Sequence, residues 1–502
     1  MDYKFLKSGS DIRGTADDSL GEVVNLDKRA ICTIVDAFIF WMIQKKQMQG
    51  QLNNQKLKIA VGYDSRNTSK LLKEYVTIAL QYSGCNIFDC ELASTPAMFM
   101  MTTLPEIACD GAIMITASHM PKDKNGLKFF IQNGGITSKD IDNILELAAQ
   151  GKSIEGKDGS SYTKKDFLGI YCDYLINKAK QLSSNNLPYT GLKIVLDASN
   201  GVGGFFSNRV LQFLGADISG SQFLEPNGDF PNHIPNPEDK KAMDSLTQCV
   251  LKHQADLGII FDTDADRVAF VDKDGKQINK NRLIALISVI LLQEEPKGYI
   301  VTDSTTSEGL TQFITQLQGR HHRYKRGYNN VITEAKRFLD ANMNALVAIE
   351  TSGHAALKEN YFLDDGAYLA IRVIDTLAKL KKQNKTLGDL IATLQEPQES
   401  VECRIKIKNP DFLSFGQSIL KAMEEWAKRE FEIYGINYEG IRVKVKSING
   451  WFLARMSLHE PVIVLNIETN EQGGVKAIAQ MLYNKLSLIQ DIDASSLMQM
   501  IA

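Results

Sequence analysis

Three short apolar runs, at residues 112–115, 257–261 and 345–349, each stop abruptly at a cluster of polar side chains. Runs of this kind read as short strands buried in a sheet. Candidate chemistry just past strand ends is the arrangement of open α/β folds, where ligands bind outside the carboxyl ends of the strands. The first run delivers Thr116-Ala117-Ser118-His119-Met120-Pro121, then Asn125-Gly126-Leu127-Lys128. The second delivers Asp262-Thr263-Asp264-Ala265-Asp266-Arg267, and the third Glu350-Thr351-Ser352-Gly353-His354.

Each cluster limits the chemistry on offer. Ser118 needs an activating neighbour or a charged partner to act as a nucleophile. His119 follows it directly, and consecutive side chains on an extended chain point apart, so a serine-protease triad is not expected. There is no G-x-S-x-G elbow either. A hydroxyl capping a turn is the alternative role for Ser118. The alternating aspartates put three carboxylates at one strand end, a set suited to a hard cation such as Mg²⁺. An EF-hand loop would need glycine sixth and glutamate twelfth, where this chain has Arg267 and Lys273. An aspartyl-phosphate phosphatase with Asp262 as nucleophile stays open. On an extended strand end Glu350 and Ser352 share one face. His354, with an ordinary pKa of about 6.5, is a candidate proton carrier.

The chain has 502 residues, more than one hydrophobic core usually spans, so several domains are expected. Its 44% hydrophobic and 23% charged residues argue against disorder. A net charge of −3 gives no global basic field, so nucleic acid is not an expected partner. The longest apolar stretch, 283–292, falls far short of the roughly 20 residues a membrane helix needs. Met1-Asp2-Tyr3-Lys4 opens without an apolar segment, and the seven cysteines are scattered, odd in number and without a C-x-x-C pair. A cytoplasmic protein with reduced thiols is therefore expected.

Residues 183–191, 294–298 and 395–400 are rich in polar and turn residues. They give expected domains at 1–187, 188–297, 298–397 and 398–502. The first three repeat strand, polar loop and helix without repeating sequence. Helices are expected at about 26–46, after a Thr68 or Ser69 cap, at 138–149, at 165–182 and after Gly203-Gly204. The fourth domain has alternating segments at 402–408 and 441–446, the period of half-exposed antiparallel strands. The expected fold class is thus α/β: three consecutive mixed-sheet, helix-flanked α/β domains plus a C-terminal α+β domain around a central cleft. Asp64 and Arg66 are expected to serve helix capping and domain packing. The proline-locked segment 230–237 has no assigned chemistry.

A fourth cluster, Arg455-Met456-Ser457-Leu458-His459-Glu460-Pro461, lies near the C-terminus. In order, the four loops resemble the phosphoserine, metal, sugar-binding and phosphate-binding loops of the α-D-phosphohexomutase superfamily, in its phosphoglucomutase/phosphomannomutase branch. The resemblance spans nearly the whole chain. It implies interconversion of hexose 1-phosphate and hexose 6-phosphate through phosphorylated Ser118 and a hexose 1,6-bisphosphate. Mg²⁺ is the implied metal and glucose 1,6-bisphosphate the implied activator. Asp262, Asp264, Asp266 and a phosphate oxygen on Ser118 would hold the metal. Arg13, His119, Lys128 and Arg267 would assist the transfer. Glu350 and Ser352 would take the sugar 3- and 4-hydroxyls, which glucose and mannose share, with His354 beside them. Arg455, Ser457 and His459 would grip the distal phosphate.

The chain departs from the family pattern at three places. His459 stands where the R-x-S-x-T-E-P pattern has threonine, preceded by Leu458. Tyr328 stands where many relatives carry histidine, and Asp303 where a basic residue is often found. The expected partners are small sugar phosphates, without nucleic acid or membrane, in a monomer or homodimer. A phosphoglucosamine mutase and a non-catalytic sugar-phosphate sensor stay open beside the phosphatase.

Overall fold

The computed structural model describes residues 2–48, 56–105, 107–132, 134–154, 159–457 and 460–501. Internal contacts divide the chain into two compact units, 1–290 with 346–392 and 291–345 with 393–502.

The first unit opens with an 8-stranded sheet. Its order is Lys7–Ser8, Asp11–Thr15, Lys124–Ile131, Gly111–Ile115, Lys58–Tyr63, Asn86–Leu92 and Tyr162–Lys164, with Gly134–Gly135 paired to Lys124–Ile131. Gly111–Ile115 lies parallel to Lys58–Tyr63 and antiparallel to Lys124–Ile131. All its residues are buried, which is why its sequence does not alternate. Ile113 and Ile115 join a core with residues of the helices Lys28–Met48, Ser69–Tyr82 and Ser138–Ala149. Phe130 of the neighbouring strand meets Phe99 of the helix Thr95–Thr103 edge-on at 5.6 Å.

No period announces that last helix, because Thr95 to Thr102 are all buried, and a helix apolar on every side carries no amphipathic stripe. Its start is marked by Ser94, whose side chain accepts from Ala97 N, and by Pro96 in the first turn. Thr68 does not cap Ser69–Tyr82 through its side chain, against expectation. The Thr68 and Ser69 hydroxyls accept instead from Asn125 Nδ2, at 2.9 and 3.0 Å, and so serve the serine loop.

A 4-stranded sheet follows, ordered Gln277–Ile278, Val268–Asp272, Leu257–Phe261 and Ile194–Asp197. Phe261 pairs with Val268 across its antiparallel step, so 262–267 form a tight hairpin that crowds the three aspartates. Ala265 in that turn takes the left-handed φ of 58°. The helix expected after Gly203-Gly204 is a π-helical Phe206–Leu211 between the 3₁₀ turns Val202–Gly204 and Gln212–Leu214. Strand Ala345–Ile349 turns through 350–354 into Ala355–Leu357, which pairs with Leu363–Asp364 ahead of the helix Gly366–Lys381.

In the second unit Tyr299–Asp303 and Arg320–Tyr324 run parallel, with the helices Glu308–Gln316 and Tyr328–Asp340. A 6-stranded sheet then runs Glu432–Ile433, Ile441–Val445, Gly450–Met456, Val462–Thr469, Glu399–Ile407, Ile492–Asp493. Its pairs are antiparallel. Burial along Glu399–Ile407 alternates from Glu402 onward, as expected of a strand with one solvated face. Residues of the helices Phe412–Glu430 and Gly474–Leu486 complete the core on the other face. Three α/β segments followed by an α+β segment match the expected order of three α/β domains and a C-terminal α+β domain.

Candidate active site

Hairpin geometry brings the serine and aspartate loops of the first unit together. Ser118 Oγ donates to Asp262 Oδ2 at 2.9 Å. Arg267 Nη2 donates to Ser118 Oγ at 3.3 Å, while its Nε holds Asp262 Oδ2 at 3.0 Å. Ser118 is 2% exposed and has a left-handed φ of 51°. Its backbone is not extended, so its hydroxyl and His119 Nδ1 lie 3.3 Å apart. The expectation that these neighbours point apart is corrected on that ground. Arg267, and then burial, hold the His119 imidazolium far below its ordinary pKa, so the ring is neutral. Arg13, on Asp11–Thr15, pairs in register with Gly126 and donates to Asp11 Oδ2 at 3.0 Å. A Cβ at Gly126 would come within 2.2 Å of the Ile12 carbonyl oxygen, so that approach requires glycine.

Lys128 lies within the strand Lys124–Ile131 and is 2% exposed. Its Nζ donates to Asp264 Oδ2 at 3.0 Å and to Asp266 Oδ2 at 2.5 Å. Thr95, at the start of the fully buried helix, adds Oγ1 to Asp264 Oδ2 at 2.5 Å and its amide to the Asp264 carbonyl at 3.0 Å. Carboxylate oxygens of Asp262, Asp264 and Asp266 lie within 4.8 Å of one another. Burial, then repulsion from Asp266 and Asp264, pushes the Asp262 carboxyl up to about 8. Burial opposes ionisation of Asp266 too, but Lys128, then His354 and Arg267, hold it below the ordinary carboxylate range. Asp264 Oδ1 and Asp266 Oδ1 are buried without a hydrogen-bond donor. Bare buried carboxylate oxygens beside a third carboxylate fit a hard divalent cation.

The Glu350 loop is stitched to the aspartate loop by a main-chain bridge between Arg267 and His354 and by Val268 N donating to the Gly353 carbonyl at 3.3 Å. It is a turn: Gly353 N donates to the Glu350 carbonyl at 3.1 Å, with Gly353 at φ 95°. Glu350 and Ser352 therefore do not sit on an extended strand end as expected, although both are buried. His354 Nδ1 pairs with Asp364 Oδ2 and lies 3.9 Å from Asp266 Oδ1. Burial opposes the imidazolium, but Asp364 and then Asp266 raise its pKa to about 9. Asp364 is steadied by the Ala355 amide at 2.9 Å. Motif spacing does not single out Asp364 or Thr95, since each reaches the site from a different element.

In the second unit Arg455 lies near the end of Gly450–Met456, buried, with Nε 3.6 Å from Glu439 Oε1. Glu439 also accepts from Ser304 Oγ and, at 3.3 Å, from the Arg326 amide. Ser457 N donates to the Val462 carbonyl at 3.0 Å, and Ser457 Oγ accepts from Glu460 N at 3.3 Å. Leu458 and His459 lie outside the described residues. Asp303 accepts from the Thr305 amide at 2.7 Å, forming a turn, and Tyr328 starts the helix Tyr328–Asp340.

Models of phosphoglucomutase/phosphomannomutase alpha/beta/alpha domains I, II and III match residues 7–155, 170–275 and 279–397. A phosphomannomutase/phosphoglucomutase of Pseudomonas syringae pv. tomato is 30% identical over 440 residues, covering 87% of this chain and 88% of its own. A phosphoglucomutase of Neisseria gonorrhoeae is 28% identical over 423 residues, covering 84% and 86%. A solved phosphoglucomutase/phosphomannomutase family protein from Burkholderia thailandensis shares the fold with a TM-score of 0.79 at 23% identity, over 97% of this chain and 98% of that one. With three family domains in order and relatives matched over most of their length, the chain belongs to the phosphoglucomutase/phosphomannomutase family of α-D-phosphohexomutases.

Proposed function

We propose that the chain is a phosphohexose mutase that interconverts the 1- and 6-phosphates of glucose and mannose by passing a phosphoryl group through Ser118. The observation that carries this reading is the 2.9 Å contact of Ser118 Oγ with Asp262, inside a buried three-carboxylate loop and beside Arg267. Phospho-Ser118 gives its phosphoryl group to the free hydroxyl of a hexose 1-phosphate. The Oγ–P bond breaks, a P–O bond to the sugar forms and the hydroxyl gives its proton to an unprotonated group of the protein, while His354, whose pKa Asp364 and Asp266 raise, is our candidate donor of the proton that Oγ regains. The bisphosphate then turns over and returns its other phosphoryl group to Ser118, leaving hexose 6-phosphate. Glucose 1,6-bisphosphate serves as the activator that primes Ser118.

Such transfer needs mainly positioning and charge stabilisation. Asp262, Asp264, Asp266 and a phosphate oxygen on Ser118 would hold Mg²⁺, which when bound supplies positive charge to the phosphoryl group. Arg267 orients the hydroxyl and, with Lys128 and Arg13, adds positive charge. His119, neutral, offers a hydrogen bond at Oγ. Glu350 and Ser352 take sugar hydroxyls, and Arg455, Ser457 and His459 grip the distal phosphate. The substrates are small sugar phosphates, handled by a monomer or homodimer in the cytoplasm. Seven unpaired cysteines, six of them buried, support a reducing compartment. Among the described residues no helix is long and apolar enough to cross a membrane.

The phosphatase reading is weaker here. Its nucleophile would be Asp262, whose two oxygens are already engaged by Arg267 and Ser118. The test is turnover of glucose 1-phosphate and mannose 1-phosphate with Mg²⁺ and trace glucose 1,6-bisphosphate, beside Ser118→Ala. Loss of both activities in the variant supports the reading. A variant as active as the wild type sinks it. Faster turnover of glucosamine 1-phosphate would move the assignment to a phosphoglucosamine mutase.

A further inference from the structure

Arg66 is a buried cation that the transfer steps leave unused, and it is 2% exposed. Its Nη1 donates to the carbonyls of Pro121 at 2.7 Å and Lys124 at 2.9 Å. Its Nη2 donates to the carbonyls of Met120, at 2.6 Å, and of Ser118. Nε faces Asp64 Oδ2 at 3.3 Å, and Asp64 Oδ1 accepts from the Arg66 amide at 3.0 Å and from Ser69 Oγ at 2.7 Å. Asp64 thus closes a turn and holds the Ser69 hydroxyl instead of capping helix amides, while the Arg66 side chain is committed to the serine loop. The ring of Phe230, in the proline-locked segment, lies 5.5 Å from the guanidinium carbon. That segment, without a role in the sequence, backs the arginine that grips the loop.

A residue with a Cβ held at a left-handed φ is strained, and persists only where its surroundings over-determine it. At Ser118 the carbonyl receives Arg66 Nη2 and, at 2.8 Å, Thr263 Oγ1, while the amide donates to Thr116 Oγ1 at 2.9 Å. Arg66 also holds three further carbonyls of the same turn. A planar fork of donors spans them, which a single ammonium cannot.

We propose that Arg66 is a positioning residue for phosphoryl transfer: by gathering the serine-loop carbonyls it keeps Ser118 Oγ turned to the aspartate loop. The inference rests on the reading of Ser118 as the phosphoryl carrier. Losing the fork slows transfer and leaves sugar-phosphate binding alone.

The test uses full-length Arg66→Lys, Thr263→Val and Ser118→Ala with glucose 1-phosphate, Mg²⁺ and trace glucose 1,6-bisphosphate. Arg66→Lys should lose about 100-fold in kcat, the cost of a reacting group misplaced by about 1 Å. Its KM should stay within about threefold of the wild type. Thr263→Val, which removes the other side-chain donor to the same carbonyl, should lose kcat about 10-fold, again at constant KM. It keeps the question answerable if Arg66→Lys fails to fold. Wild-type kcat in the variants that fold, or a KM rise equal to the kcat loss, overturns the proposal. If Ser118→Ala is inactive and these variants match the wild type, only the role of Arg66 falls. If Ser118→Ala keeps wild-type turnover, the reading of Ser118 falls and this inference with it.

Discussion

Lys128 Nζ lies 2.5 Å from Asp266 Oδ2, with both side chains buried. The same ammonium sits 3.0 Å from Asp264 Oδ2, so one lysine offsets two of the carboxylates assigned to the metal. Removing one partner of a buried ion pair leaves an uncompensated charge and costs about 3–5 kcal/mol. Lys128→Met should therefore melt well below the wild type in EDTA. Added Mg²⁺ should shrink that deficit, because the ion supplies the missing positive charge. Calorimetry with and without Mg²⁺ checks this, and an unchanged deficit would contradict the assigned metal site.

Glucose and mannose share the hydroxyls assigned to Glu350 and Ser352. Glu350→Gln and Ser352→Ala should each lower kcat/KM about 10-fold, the equivalent of about 1.4 kcal/mol of transition-state binding. The glucose-to-mannose ratio should hold within about threefold. Parallel steady-state assays decide it: a variant that loses one sugar and keeps the other means the loop reads C2 after all.

Arg455 can fork onto a phosphate with two charge-assisted hydrogen bonds. Arg455→Gln should cut kcat/KM on either sugar phosphate about 10- to 100-fold, matching about 1.5–3 kcal/mol for bonds to charged groups. Arg455→Lys should recover part of the loss, since it keeps the charge without the fork. Equal activity of Arg455→Gln and the wild type would remove Arg455 from phosphate binding.

Asp365 is buried at the start of Gly366–Lys381, accepting from Tyr171 Oη at 2.5 Å, Tyr368 N at 2.8 Å and Asn360 Nδ2 at 3.0 Å. Burial outweighs these donors and pushes its carboxyl from 3.8 to about 6. A carboxyl whose folded pKa exceeds its unfolded value binds its proton more tightly in the folded chain. The stabilisation is full below the unfolded value and is lost as pH rises through about 6. Asp365→Asn keeps an N-cap and removes that titration. The stability difference should move in favour of the wild type as pH falls from about 7 to about 4, by an amount on the order of 3 kcal/mol. Melting temperatures of the pair across that range provide the check, and a flat difference would refute it.

The buried strands and the loops that end them were legible because runs such as 112–115 and 257–261 fix both element and endpoint. The alternation in 402–408 likewise exposed the half-solvated strand of the last segment. Other features depend on backbone geometry that residue letters do not encode. His119 reaches the Ser118 hydroxyl only because Ser118 is left-handed. Asn125-Gly126 has the letters of a turn yet lies inside Lys124–Ile131, because pairing with Asp11–Thr15 holds it extended. Arg66 reads in sequence as a helix-capping and packing residue, and only the fold puts four carbonyls around it.

The central claim is that Ser118 carries the phosphoryl group, and phosphate mapping tests it most directly. The enzyme is incubated with Mg²⁺ and glucose 1,6-bisphosphate labelled in its phosphates, then digested, and the labelled peptide is sequenced. The account predicts label on Ser118 that chases into hexose phosphates when unlabelled glucose 1-phosphate is added. Label on Asp262, or an active enzyme that never takes label on Ser118, would contradict it.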